Sequence, residues 1–182
     1  VGCSIMPCNV GSFSPNGAVL DDAIVYAADN GARVITMSLT VGSTSAINAA
    51  VTYANGLGVF IDCASGNGGS SVGYPANLPG VMAVASTNHF DNKSSFSNPG
   101  PEVEIAAPGE NILMTNLGGG TITQSGTSFA APHVAGLAAL MFSANPALTN
   151  ADVRSVMRAT ADDVGPVGYD TGTGDGRINA FA

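Results

Sequence analysis

Short, unbroken apolar runs alternate in this chain with segments whose apolar residues recur at helical spacing, and that alternation constrains the fold more than any other feature. Residues 33–39 (RVITMSL) are a β-rich run, and 59–63 and 81–85 are short runs that are apolar at nearly every position, where a half-exposed strand would alternate. Such strands belong in a sheet covered on both faces. Residues 18–30 carry apolar side chains at 19, 20, 23, 24 and 27, with Gly31 as a stop. Residues 45–55 repeat the pattern through Ile47, Val51 and Ala54, with Gly56 behind. Both spacings predict helices. Residues 3–10 read as one further strand, and 12–17 as a Ser/Pro/Asn/Gly turn. The predicted order is strand, helix, strand, helix, strand, loop, strand. Parallel pairing with right-handed crossovers follows, and with it an α/β class: a doubly wound, mostly parallel sheet with helices on both faces.

The second half is richer in loops. Short apolar runs stand at 103–106 and 112–115. Residues 131–144 are apolar all round, which predicts a helix buried in a core, and 151–160 read as an amphipathic surface helix. A chain of 182 residues suffices for one domain and is short for two ordinary ones. With 45% hydrophobic and 10% charged residues it is not a disordered acidic tail. Thirteen acidic residues against five basic ones give a net charge of −8, which lacks the basic footprint of a nucleic-acid binder or of a partner for anionic membranes. No run of 18 apolar residues is free of glycine or polar breaks, so no membrane span is expected. Cys3, Cys8 and Cys63 make no disulfide framework. They read as small buried hydrophobes, or as partners for a cysteine in another segment. No Cys/His cluster has zinc spacing.

The most informative stretch is QSGTSFAAPHVAG, from Gln124 to Gly136. It is a glycine turn, then a serine, then a proline in what reads as a first helical turn, then a helix. Ser128 would place its hydroxyl and amide at the positive end of a helix dipole. That position favours a nucleophile whose attack generates an oxyanion. A serine there is also an ordinary helix cap.

The string from Gly126 to Gly136 resembles the serine motif of the subtilisin-like serine proteases, G-T-S-x-A-x-P-H-V-A-G. The resemblance implies a subtilisin-like fold, with Ser128 as nucleophile. Ala64-Ser65-Gly66-Asn67 is similar to the family's A-A-G-N segment and implies Asn67 as oxyanion-hole donor. Residues 35–39 resemble the strand whose end lines the primary specificity pocket, so Ser38, Leu39, Thr40, Ala64, Gly66 and Gly126 are implied substrate contacts. Further landmarks agree in family order: 73–76 (GYPA), 95–98 (SFSN), 107–109 (APG) and 174–180 (GDGRINA). The implied activity is endopeptidase action on polypeptides through an acyl-enzyme, without a catalytic cofactor, by a secreted protein. A weak structural calcium site is implied at Glu102 and Glu104, with the backbone carbonyls of Ala76 and Leu78.

The family's D-[ST]-G and H-G-T-x-V-A-G motifs are absent from these 182 residues. His133 copies part of the histidine motif but belongs to the serine motif. Asp170-Thr171-Gly172 copies the aspartate motif, yet no apolar strand precedes it, so it reads as a loop. His89 stands in a polar loop. Residues 1–182 are therefore expected to be a partial catalytic domain, completed by an N-terminal segment that carries the Asp and His. The other readings are a non-catalytic binding module of the same fold and an inert fragment left by autolysis. Two departures from the family stand out. Asp62 interrupts an apolar strand, where a carboxyl needs a partner or stays protonated. Thr40-Val41 replaces a frequent Gly-Gly, which predicts a narrower or reshaped pocket.

Overall fold

The computed structural model describes residues 2–11 and 16–182. Four parallel strands form the sheet in the order β1-β2-β3-β4: β1 (Val34–Met37), β2 (Phe60–Ala64), β3 (Val81–Thr87) and β4 (Val103–Pro108). Val34 pairs with Phe60, Ile61 with Val81 and Ala83 with Val103, and the β3–β4 register shifts between Ala83 and Val84. Every residue of β2 and β3 is buried, as their unbroken apolar sequence requires.

The period-two geometry of a strand splits these side chains between two cores. Ile61, Cys63, Val81, Ala83 and Ala85 pack with Leu20, Ile24, Ile47 and Val51 from helices α1 (Gly17–Asp29) and α2 (Ser45–Gly56). Phe60, Ala64, Met82, Val84 and Ile105 pack on the opposite face with Ala131, Val134, Ala138, Val153 and Met157. Those come from helices α3 (Thr127–Ala144) and α4 (Asn150–Ala159). The sheet is thus doubly wound. Both early helices start where a side chain caps them: Asn16 Oδ1 accepts from the Ala18 amide, and Thr44 Oγ1 from that of Ile47. Thr149 and Asp152 close a reciprocal capping box on α4.

Three expectations need correction. Residues 3–10 form no strand; no neighbour among the described residues offers them a ladder, and Pro7 lacks an N–H. Cys3 and Cys8 are consequently exposed, and only Cys63 is buried. The predicted 12–17 turn lies largely outside the described residues. An exposed hairpin of β5 (Ile112–Thr115) and β6 (Thr121–Gln124) accompanies the sheet, and its polar second strand carries no burial signal in the sequence. Finally, α3 begins at Thr127, four residues earlier than its apolar run, and is covered on one face only. Pro132, His133, Gly136 and Leu140 remain exposed. By length and composition α3 could cross a membrane. In this fold its buried face lies on the sheet.

Candidate active site

The site forms where α3 begins, above the ends of β1 and β2. An α-helix leaves its first amide groups without intrahelical acceptors. In α3 the Thr127 N–H donates to Asn67 Oδ1 at 2.8 Å, and the Phe129 N–H to the Gly126 carbonyl at 3.0 Å. The Ser128 N–H lies between them, with no loop or capping acceptor among the described residues. Ser128 itself is half-buried.

Pro132 sits inside α3 rather than in its first turn. It has no N–H to give to the carbonyl four residues back, which is that of Ser128. Ser38, just past β1, fills the gap: its hydroxyl donates to the Ser128 carbonyl at 2.7 Å, while Ser128 Oγ donates to the Ser38 carbonyl at 3.2 Å. This reciprocal pair ties the nucleophile candidate to the sheet.

Asn67 stands on the loop after β2, with its carboxamide exposed. Its Oδ1 accepts from both the amide and the hydroxyl of Thr127, each at 2.8 Å. The orientation leaves Nδ2 as the outward donor, and no acceptor takes it among the described residues. Nδ2 would stand 3.3 Å from a Cβ at Gly126, so it lies against the turn that leads to Ser128. Thr127 Oγ1 also accepts from the Gly66 amide at 3.2 Å. Ser128, Asn67, Ser38, Gly66 and Gly126 therefore converge on one spot. A carbonyl placed there meets a hydroxyl and two outward N–H groups, which is what stabilising an oxyanion requires.

Two residues that build the site were not singled out from sequence. Thr127 is fully buried and holds three groups of the Gly66–Asn67 turn and the helix start. Asn98, almost fully buried, organises the other side of that loop. Its Oδ1 accepts from the amides of Gly68 (2.8 Å) and Ser70 (3.1 Å), its Nδ2 donates to the Ser65 carbonyl (3.2 Å), and its own amide donates to the Gly66 carbonyl (3.0 Å). Gly66 has φ +109°, and any Cβ there would collide with Asn98 Nδ2, so the loop needs glycine on both counts. A signal existed in the threonine of the serine motif. Asn98 falls within the 95–98 landmark, which marks the segment but not this residue's bonds to the loop.

No histidine among the described residues touches Ser128. His133 is exposed on α3, with Nδ1 2.7 Å from the Phe129 carbonyl. His89 is exposed against the Phe90 ring. Asp170 sits in a tight turn, where Oδ1 accepts from the Gly172 amide at 2.6 Å and from that of Thr173 at 3.1 Å.

The calcium expectation does not fit these residues. Glu104, mostly buried on β4, accepts from Arg154 Nε at 2.6 Å and also pairs with Arg154 Nη2 and, at 3.6 Å, Arg158 Nη1. Two guanidinium groups already neutralise the carboxylate that a cation would need, and Ala76 and Leu78 are left with Glu102 alone. No group of three or more His, Cys, Asp or Glu side chains suited to a metal forms among the described residues.

Asp62 is fully buried in β2, between Thr36 and Met82 on its neighbours. Oδ1 accepts from Thr36 Oγ1 at 2.8 Å, and Oδ2 has no partner among the described residues. Burial pushes its pKa well above the ordinary carboxylate range, and the Thr36 bond offsets this only in part. Burial, together with Asp62 beside it, likewise pushes the Cys63 thiol up.

The chain as a whole is similar to known proteins. A family model described as the subtilase family matches residues 1–176. Thermitase from Thermoactinomyces vulgaris is 44% identical over 173 residues, covering 93% of this chain and 60% of that protein. A thermophilic serine proteinase from Bacillus sp. (strain AK1) is 43% identical over 166 residues, covering 88% of this chain and 39% of its own length. The solved structure of the S41 psychrophilic protease superposes with a TM-score of 0.87 at 35% identity, covering 92% of this chain and 65% of that one. The chain thus spans between 39% and 60% of the length of these two curated relatives.

Proposed function

Because this chain belongs to the subtilase family, we propose that it forms the nucleophile-bearing part of a serine endopeptidase domain. Relatives named as serine proteinases support that reading at the level of the family. The observation that supports the finer reading is that Thr127, next to Ser128, holds Asn67 by its Oδ1 and leaves Nδ2 outward against the Gly126 turn that leads to Ser128. Ser128 Oγ attacks the carbonyl carbon of a peptide bond and loses its proton to a histidine. The resulting oxyanion takes hydrogen bonds from Asn67 Nδ2 and the Ser128 N–H. Collapse breaks the C–N bond, the histidine returns its proton to the departing amine, and water then releases the acyl group from Ser128.

The histidine and its orienting aspartate come from a segment N-terminal to these 182 residues. Two features support a seat for it: the exposed Pro132, His133, Gly136 and Leu140 face of α3, and the outer edge of β1, which no strand pairs among the described residues. The substrate is a polypeptide and the setting extracellular, as family resemblance suggests. Labelling at Ser128 by a fluorophosphonate tests the reading. The 182-residue chain alone should label no faster than a free serine. The chain produced with its upstream segment should label at an enzymatic rate, and Ser128→Ala should abolish it. Fast labelling of the chain alone would overturn the need for an outside base. Absence of labelling in the complete protein would overturn catalysis altogether. If the chain alone is also monomeric, melts cooperatively and binds little hydrophobic dye, a self-sufficient binding module replaces this reading.

A further inference from the structure

The substrate residue whose acyl group passes to Ser128 has a side chain that needs a seat beside the nucleophile, and the strand ends next to Ser128 offer one. β1 and β2 pair from Val34↔Phe60 to Met37↔Cys63. Beyond that register no ladder joins 38–40 to 64–66, so the two strand ends part and leave a cleft. Its mouth is marked by the Ser38 carbonyl, which receives Ser128 Oγ, and by Gly66, which precedes Asn67. The segment Gly73-Tyr74 crosses beneath: the Gly73 amide donates to the Ser65 carbonyl at 2.8 Å on one wall, and the Val41 amide to the Tyr74 carbonyl at 2.9 Å on the other.

Thr40 stands in that cleft. A Cβ built on Gly73 would lie 2.7 Å from Thr40 Cγ2, and one on Gly66 would lie 3.8 Å from it. The methyl group therefore covers the glycine floor and reaches the far wall. A β-branched side chain has few rotamers by which to withdraw. Glycine at position 40 would leave the floor open; threonine occupies part of it with its methyl group.

We propose that Thr40 sets the specificity of this site for bonds whose acyl-side residue is small: glycine, alanine or serine. The proposal rests on Ser128 being the nucleophile. The test uses the complete protein with succinyl-Ala-Ala-Pro-X p-nitroanilides in which X is Gly, Ala, Leu or Phe. The expected wild-type kcat/KM favours Ala over Phe by about tenfold or more, since steric exclusion from a pocket acts on that scale. Thr40→Gly should raise the Phe-to-Ala ratio by about tenfold, and Thr40→Ser should fall between the two. A wild-type preference for Leu or Phe, or a ratio unmoved by both variants, would overturn the role of Thr40 while leaving the nucleophile in place. If no substrate is cleaved and the fluorophosphonate also fails to label Ser128, the nucleophile reading falls first and takes this one with it.

Discussion

Replacing Asp62 by valine should make the protein more stable, and increasingly so as pH rises. The carboxyl is fully buried within β2, shares a face with Phe60 and Ala64, and has one oxygen without a partner among the described residues. An unsatisfied buried polar group costs about 1–3 kcal/mol. Valine is close in size and leaves no orphan, because Thr36, which loses the hydrogen bond, is exposed and finds water. At low pH, where the carboxyl is neutral in both folded and unfolded chains, the gain should therefore be about 1–3 kcal/mol. The pH dependence adds to this. Burial raises the titration of Asp62 in the folded chain, so above the ordinary carboxylate range the folded protein still holds a proton that the unfolded chain has released. With fewer protons on the unfolded side, stability falls as pH rises, by roughly 1 kcal/mol per pH unit, until the folded carboxyl itself ionises. Valine has no such slope. Urea unfolding of both proteins at about pH 4, 5 and 6 should show the gap in favour of Asp62→Val widening at each step. A constant gap would mean that Asp62 titrates normally. A less stable valine variant at every pH would mean that the carboxyl is satisfied after all.

Other outcomes follow from the same geometry. Asn98→Ala should speed hydrogen exchange at the Gly68 and Ser70 amides and lower kcat of the complete protein by about tenfold with little change in KM, whereas Asn98→Asp, which still accepts both amides but sets a carboxylate oxygen against the Ser65 carbonyl, should recover only part of the loss. Arg154→Ala leaves a mostly buried Glu104 with only the longer Arg158 contact and should cost about 1–3 kcal/mol in urea unfolding; a loss under about 0.5 kcal/mol would mean the pair behaves as a surface contact. A thiol reagent should modify Cys3 and Cys8 in the folded chain and reach Cys63 only on unfolding, since burial both shields that thiol and disfavours its thiolate. Reaction of Cys63 at the rate of the other two would contradict the packing of β2.

The sheet was legible because a strand covered on both faces has no choice of register with solvent: residues 59–63 and 81–85 could only be interior. Helices α1 and α2 were legible from spacing and from the glycines that follow them. Residues 3–10 share the same apolar character but join no ladder among the described residues, and apolar character alone does not make one. β6 was missed because Thr121–Gln124 is exposed throughout and is held by backbone pairing that leaves no hydrophobic trace. At the site, Ser128 and Asn67 were visible through local motifs. Asn98 was not, because its role depends on four bonds to a loop about thirty residues away in sequence. The Glu104 pairing was hidden for a similar reason: its arginine partner arrives on a helix fifty residues later.

Pro132 has a consequence for how α3 finds its axial position. Successive residues of an α-helix are turned by about 100° and raised by about 1.5 Å, so a slip of one residue would bring Phe129 opposite the end of β1. The helix interior is otherwise a uniform rod, apolar on nearly every side, and small residues such as Ala130, Ala131 and Ala135 would slide past the sheet with little resistance. The proline breaks that uniformity at one carbonyl. Ahead of the last turn of α3, Ser128 presents the oxygen that Pro132 leaves free, and Ser38 on the facing strand end has a hydroxyl that fills it. The pair works as a keyed joint, with the missing amide as the notch, and a helix seated one step out would leave both key and notch empty.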